Sequence, residues 1–196
     1  MPRIVARIVV LLLLGFAALG ARADVITLQA SLLGIAEVPP NASPATGSAL
    51  IELDLDAQTL HVVATFAGLL GTTTNAHIHC CTTTPGGTAG VATMVPSFAG
   101  FPLGVTSGSF DQTYDMTDPA SWRPQFITDN GGTVDTALAA LAAGLVAGTA
   151  YFNIHTTVFP GGEIRGFLAV PEPASLALLA LRLAGVAFAR RRRPAR

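Results

Sequence analysis

The chain has 196 residues, of which 51% are hydrophobic and 12% charged, and its formal net charge is −1. The charge is unevenly distributed, because all 11 basic residues are arginines and nine of them lie before residue 24 or after residue 170. Residues 24–170 keep two arginines against eleven carboxylates, a net charge of −9 with histidine neutral. Such a segment lacks the basic surface that binds nucleic acid or an anionic membrane, so no nucleic-acid partner is expected.

The first 23 residues have the layout of a secretory signal peptide. Arg3 and Arg7 precede an apolar run over 8–18, and Ala21-Arg22-Ala23 fits a small-x-small cleavage site. The sequence therefore predicts an exported protein whose mature chain starts at Asp24. Its cysteines would meet an oxidising compartment.

Residues 24–170 are predicted to form one all-β domain with one short helix. Short alternating segments are separated by turns rich in Gly, Pro and Thr, which is typical of a Greek-key β-sandwich of the immunoglobulin kind. The helical segment is 134–143, with Gly144 as its expected C-terminal cap. The predicted strands cover residues 26–32, 49–55, 60–66, 108–114, 150–156 and 163–168.

Three of the four histidines lie at strand spacing. His77 and His79 are two residues apart, so both imidazoles face the same side of a strand. His155 shares one face of a later segment with Tyr151 and Asn153. If these two strands are neighbours, the three imidazoles converge in a way that suits copper or zinc. The alternative is a structural role in which each imidazole holds a loop backbone.

Cys80 and Cys81 are the only cysteines, and they are adjacent. Adjacent cysteines cannot cross-link distant strands. Three alternatives stay open: a disulfide with each other, a link to a second chain, or thiolate ligands that add to the histidine site.

Arg165 is one of only two cations in the predicted domain, so a carboxylate partner is expected. Glu163 lies two residues away on the same predicted strand, which favours an ion pair that fixes the last strand. Glu37 is a second possible partner. No nucleophile elbow, phosphate loop or zinc-protease motif is present, so no catalytic residues are assigned.

The C-terminal 26 residues have the pattern of a targeting segment rather than of a folded domain. Pro171-Glu172-Pro173 precedes an apolar run over 174–189, which Arg182 interrupts, and then Arg190, Arg191, Arg192 and Arg193. A basic cluster after an apolar run stays on the cytoplasmic side, and the run is shorter than the roughly 20 residues that span a bilayer. The layout predicts a transient transmembrane anchor, with an ordinary anchor as the alternative.

This segment resembles the PEP-CTERM sorting signal of Gram-negative bacteria. The resemblance implies processing by the membrane protease exosortase and delivery to the cell envelope, the outer surface or the extracellular matrix. Arg182 departs from the usual uncharged run.

The predicted domain resembles the CHRD family, named from chordin. The motifs that carry the resemblance are Ala36-Glu37-Val38-Pro39-Pro40, Ala76-His77-Ile78-His79, 151–156 and 159–166. The family implies an extracellular, mostly β domain.

A weaker resemblance is to the copper half of Cu/Zn superoxide dismutases, which also have a β-sandwich fold. It implies that His77, His79 and His155 are copper ligands and that Arg165 attracts an anionic substrate. The sequence lacks a bridging histidine and a zinc cluster, so it does not match the two-metal enzyme.

Two functions follow as hypotheses. The first is a non-catalytic exported domain that binds protein or polysaccharide at the cell surface. The second is a mononuclear copper-binding or redox protein.

Overall fold

The computed structural model describes residues 25–171 as one sheet of seven antiparallel strands with two helices on it. The predicted signal peptide, Glu172, Pro173 and the arginine cluster lie outside the described residues. Within residues 25–171, no helix is both long and apolar enough to cross a membrane. The strands are β1 (Val25–Leu33), β2 (Thr46–Asp54), β3 (Thr59–Ala67), β4 (Thr73–His79), β5 (Gly108–Asp115), β6 (Tyr151–Thr156) and β7 (Ile164–Phe167).

Binary alternation builds the centre of the sheet. In β2 and β3 every second residue is buried, and the two strands pair from Thr46↔Ala67 to Asp54↔Thr59. The strand order is β4-β6-β7-β1-β2-β3-β5. β4 therefore pairs with β6, far away in sequence, and the four-residue β7 connects that pair to β1.

The sheet curls so that its two ends face each other across one core. Phe98, which lies in a loop, stacks on Phe152 of β6 and on Tyr114 of β5, with ring centroids 5.9 and 5.4 Å apart. β5 and β6 lie near opposite ends of the strand order, so one ring bridges the two inner faces. This architecture confirms the all-β prediction, and the predicted strand bounds differ from the observed ones by at most three residues.

The predicted helix is present but longer than expected. Helix α2 (Val134–Val146) begins with a capping box at Thr133 and Thr136, and it buries Leu141 and Leu145. The prediction that Gly144 caps it is wrong, since the helix ends two residues later and Gly148 takes the positive φ of 67°. Helix α1 (Pro124–Asp129) was not predicted, because six residues hold too few apolar positions to show a helical period.

Candidate metal centre

The two histidine-bearing strands are neighbours. β4 pairs with β6 so that His77 lies opposite Asn153, Asn75 opposite His155 and His79 opposite Tyr151. Directly paired residues point to the same face of an antiparallel sheet, so all six side chains share one face. The intervening Ala76, Ile78, Phe152 and Ile154 face the apolar core and are fully buried.

The histidine face is the outer face of the curled sheet, and loops cover it. Each imidazole donates one ring N–H to a loop carbonyl: His77 Nε2 to Pro96 at 2.8 Å, His79 Nδ1 to Ala89 at 2.9 Å and His155 Nδ1 to Pro160 at 2.9 Å. These bonds fix the tautomer of each ring. The same three residues are only 4, 8 and 9% exposed.

Among the described residues, the other nitrogen of each ring has no hydrogen-bond partner. These buried atoms, which make no hydrogen bond within residues 25–171, are His77 Nδ1, His79 Nε2 and His155 Nε2. One ring nitrogen from each histidine lies within 4.8 Å of the others. Buried acceptors without donors are rare in folded proteins, so a cluster of three requires an explanation.

Burial also keeps the rings neutral. Desolvation is the largest cause of the lowered pKa of all three imidazoles, and it brings the pKa of His77 and His79 to about 4. For His77 the charge of a protonated His155 lowers the pKa further. At neutral pH each ring therefore presents a lone pair, the form that binds a metal.

The arrangement fits a metal ion better than it fits water. One nitrogen of each ring lies within 4.8 Å of the others, and the three buried acceptors outnumber the two hydrogens of one water molecule, so one acceptor would stay unpaired. A transition metal accepts all three. Zinc–imidazole bonds of about 2.0–2.1 Å place ligand nitrogens roughly 3.3 Å apart in a tetrahedron, so the rings would move inward on binding.

Cys80 and Cys81 form a disulfide with each other. This oxidised state is the first of the three alternatives, and it leaves no thiolate to join His79. Cys80 is buried and Cys81 is exposed. The two sulfurs pack against Gly144 of α2, where a side chain would overlap both.

Arg165 is buried beside the site and pairs with Glu37, not Glu163. Its Nε lies 3.8 Å from Glu37 Oε2 and donates to the Ala36 carbonyl. The two terminal nitrogens donate to the carbonyls of Gly87 at 3.1 Å and Gly86 at 2.8 Å. The guanidinium is 1% exposed, so its donors hold loops rather than facing an open channel.

Burial raises the pKa of Glu37 to about 7, and the charge of Arg165 opposes part of that increase. In the part of the chain that the structure describes, neither Glu37 Oε1 nor Asn153 Oδ1 has a hydrogen-bond partner. Both groups lie within 2.7 Å of the position that a Gly162 Cβ would take. Only a glycine leaves this carboxyl and this amide room beside the strand that carries His155.

Glu163 points away from Arg165. Its carboxylate accepts from Ser43 Oγ at 2.6 Å, Thr156 Oγ1 at 2.7 Å, Leu70 N at 2.6 Å and Gly71 N at 3.1 Å. These hydrogen bonds lower its pKa although burial acts in the opposite direction. Glu163 is thus a structural anion that ties two loops and the end of β6 to the start of β7.

One contributor was not found from the sequence, and a second was placed on this face without a contact assigned to it. Asn75 shares the face of His77 by strand alternation, a signal that was available but not used. Tyr151 lies between a neutral imidazole and a cation: its ring stacks on that of His79 with the centroids 4.7 Å apart, and the Arg165 guanidinium carbon lies 4.6 Å from the Tyr151 ring centroid. The fourth histidine, His61, hydrogen-bonds to Glu52 and Asp111 away from the cluster.

Comparison with known proteins gives two family matches. The CHRD domain matches residues 28–168, and the PEP-CTERM protein-sorting motif matches residues 169–193. Neither the curated proteins nor the solved structures contain a match. The sorting motif indicates export, processing by exosortase and its secretion machinery, and anchoring at the cell envelope of a Gram-negative bacterium. The chain belongs to the CHRD domain family and carries a PEP-CTERM sorting motif at its C-terminal end.

Proposed function

We propose that this exported CHRD domain binds one copper ion through His77, His79 and His155. The observation that carries the proposal is a set of three buried ring nitrogens that have no hydrogen-bond partner within residues 25–171. In each ring the second nitrogen donates its hydrogen to a backbone carbonyl, which fixes the orientation of the ring. Metal-binding histidines commonly have such a carbonyl partner on the second nitrogen. Zinc is the competing ion.

Copper is favoured over zinc by the ligands. Affinity of nitrogen sites for divalent first-row metals rises to Cu²⁺ and falls again at Zn²⁺. Imidazoles bind both oxidation states of copper, and bound copper would supply one-electron chemistry at the cell envelope. The residues of this chain position the ligands and exclude water from them.

The test is the metal content of the exported protein, recovered from a periplasmic extract without a polyhistidine tag. We expect about one copper per chain after incubation with equimolar copper and zinc. The triple variant His77→Gln, His79→Gln, His155→Gln should bind none. His61→Gln is the matched control, because this histidine lies outside the cluster and should leave the metal content unchanged. Metal retained by the triple variant, or absent from the wild type, would refute the proposal.

A second function is binding of protein or polysaccharide at the outer surface or in the matrix. It is supported by a 290 Å³ groove lined by Pro39, Pro40, Phe159 and Pro160, with Val38 and Val158 exposed beside it. We expect Val38→Asp combined with Val158→Asp to release the protein from the polysaccharide fraction. Unchanged retention, with the domain still folded, would exclude this groove.

A further inference from the structure

The Cys80–Cys81 disulfide directly follows His79 and shares its supports. Cys80 N donates to the Gly90 carbonyl at 3.1 Å, and His79 Nδ1 binds the preceding Ala89 carbonyl. His79 also forms an isolated bridge with Val91. Loop residues 89–91 therefore hold both the ligand and the disulfide, so movement of one is transmitted to the other.

The sulfurs have no spare room on the helix side. They pack on Gly144, where the absence of a side chain lets α2 approach them. Bonded sulfurs are about 2.0 Å apart, whereas heavy atoms that are not bonded need about 3.5 Å. Breaking the bond would push the sulfurs apart against the helix, and the segment that carries His79 would have to shift.

The disulfide is accessible to small molecules. A 260 Å³ pocket is lined by both cysteines together with Arg123, Gln125, Asp129 and Asn130. Arg123 is half-buried, and within residues 25–171 it has no ion-pair partner. A cation beside a disulfide stabilises the thiolate that exchange releases.

We propose that the Cys80–Cys81 disulfide is a thiol-exchange site and that its reduction weakens metal binding at His79. A small dithiol is the co-reactant. It donates two electrons and two protons, the S–S bond breaks, Cys80 and Cys81 become thiols, and the dithiol becomes its own disulfide. The inference rests on the proposed metal site, because it assigns a regulator to it.

The test measures zinc affinity of the exported protein in its oxidised form and after reduction, with the reductant removed without oxygen. Zinc is used because thiols do not reduce it. We expect about tenfold weaker binding in the reduced form, the size of effect seen when a support of a ligand is lost. Cys80→Ser combined with Cys81→Ser should bind weakly and should not respond to reductant. Gly144→Ala should weaken binding in the oxidised form.

Cobalt substitution separates displacement of His79 from recruitment of a thiolate. Equal affinities in the two redox states, or a thiolate-to-cobalt charge-transfer band after reduction, would overturn the inference. Imidazole NMR of the metal-free protein gives an arm that does not depend on metal: reduction should move the His79 resonances and leave those of His61 in place. If the His79 resonances move but no metal binds in either state, the proposed function fails while the coupling stands. If metal binds equally well in both redox states, the proposed function stands and the coupling fails.

Discussion

Acid should destabilise the metal-free domain through the histidine cluster. His77 and His79 have a pKa of about 4 in the folded protein, against the ordinary histidine value of 6.5. Between these values the unfolded chain binds protons that the folded chain does not, so the free energy of unfolding falls as the pH falls. At pH 5 this linkage lowers the free energy of unfolding by about 2 kcal/mol for each of these two imidazoles.

One buried carboxyl acts in the opposite direction. The pKa of Glu37 is raised from 4.5 to about 7, so its contribution to stability is present at low pH and is lost as the pH rises through 7. The stability that Glu37 provides at low pH offsets roughly the loss caused by one histidine. The lowered pKa of His155 adds to the loss of stability. We expect a net loss of about 2 kcal/mol between pH 7.5 and pH 5, or about 4–8 °C in Tm.

Urea and thermal unfolding at several pH values, with a chelator present, measure this loss. His77→Gln combined with His79→Gln should flatten the acid limb. His61→Gln is the control: Glu52 and Asp111 raise the pKa of His61, so His61 adds stability as the pH falls. Removing it should therefore keep the acid limb and make it steeper, the opposite of the effect of the cluster variant. Stability that is constant, or that increases from pH 7.5 to pH 5, would refute the reasoning.

Two further predictions concern the surroundings of the site, and a third concerns the C-terminal segment. Arg165→Met removes the cation beside Glu37 and the donors to three loop carbonyls, and it should cost about 3–5 kcal/mol in denaturant unfolding; a loss below 1 kcal/mol would contradict a supporting role for these contacts. Gly162→Ala places a Cβ against Glu37 and Asn153 at a φ of 130° and should lower stability by about 1–3 kcal/mol or more; an unchanged Tm would mean that the loop adapts freely. Deletion of 171–196 should release the protein from the envelope fraction with its Tm unchanged, whereas unaltered fractionation would exclude a sorting role.

Side-chain faces could be predicted from the sequence, but strand neighbours could not. Alternation is a local property, so it placed His77 and His79 together and grouped His155 with Asn153. Pairing of β4 with β6 depends on the path of the whole chain, because 71 residues separate the end of one strand from the start of the next. The metal hypothesis was therefore conditional on an adjacency that only the fold supplies.

The rule that residues i and i+2 share a face failed at Glu163 for a local reason. β7 begins at Ile164, and Gly162 has a φ of 130°, so Glu163 lies in the bend before the strand. Its carboxylate turns toward Ser43 and Gly71, and Glu37 takes its place beside Arg165. The Gly161-Gly162 pair just before the strand is the sequence signal that the alternation starts one residue later.

Gly144 shows how one residue type serves two purposes. Read along the chain, a glycine after an apolar helical segment indicates a C-terminal cap. In the fold the same residue gives the sulfurs of Cys80 and Cys81 a surface without a side chain. That contact joins residues more than 60 positions apart, so no local pattern could reveal it.

β5 is an edge strand of the sheet, and an edge strand affects how neighbouring molecules interact when a protein is concentrated at the cell envelope. Within residues 25–171 no other strand pairs with its outer edge, and such an edge can template pairing with a second copy. β5 carries Asp111 and Asp115, both exposed, on a domain that is strongly negative. Two such edges repel each other, so molecules crowded side by side at a surface stay separate instead of extending one sheet into the next.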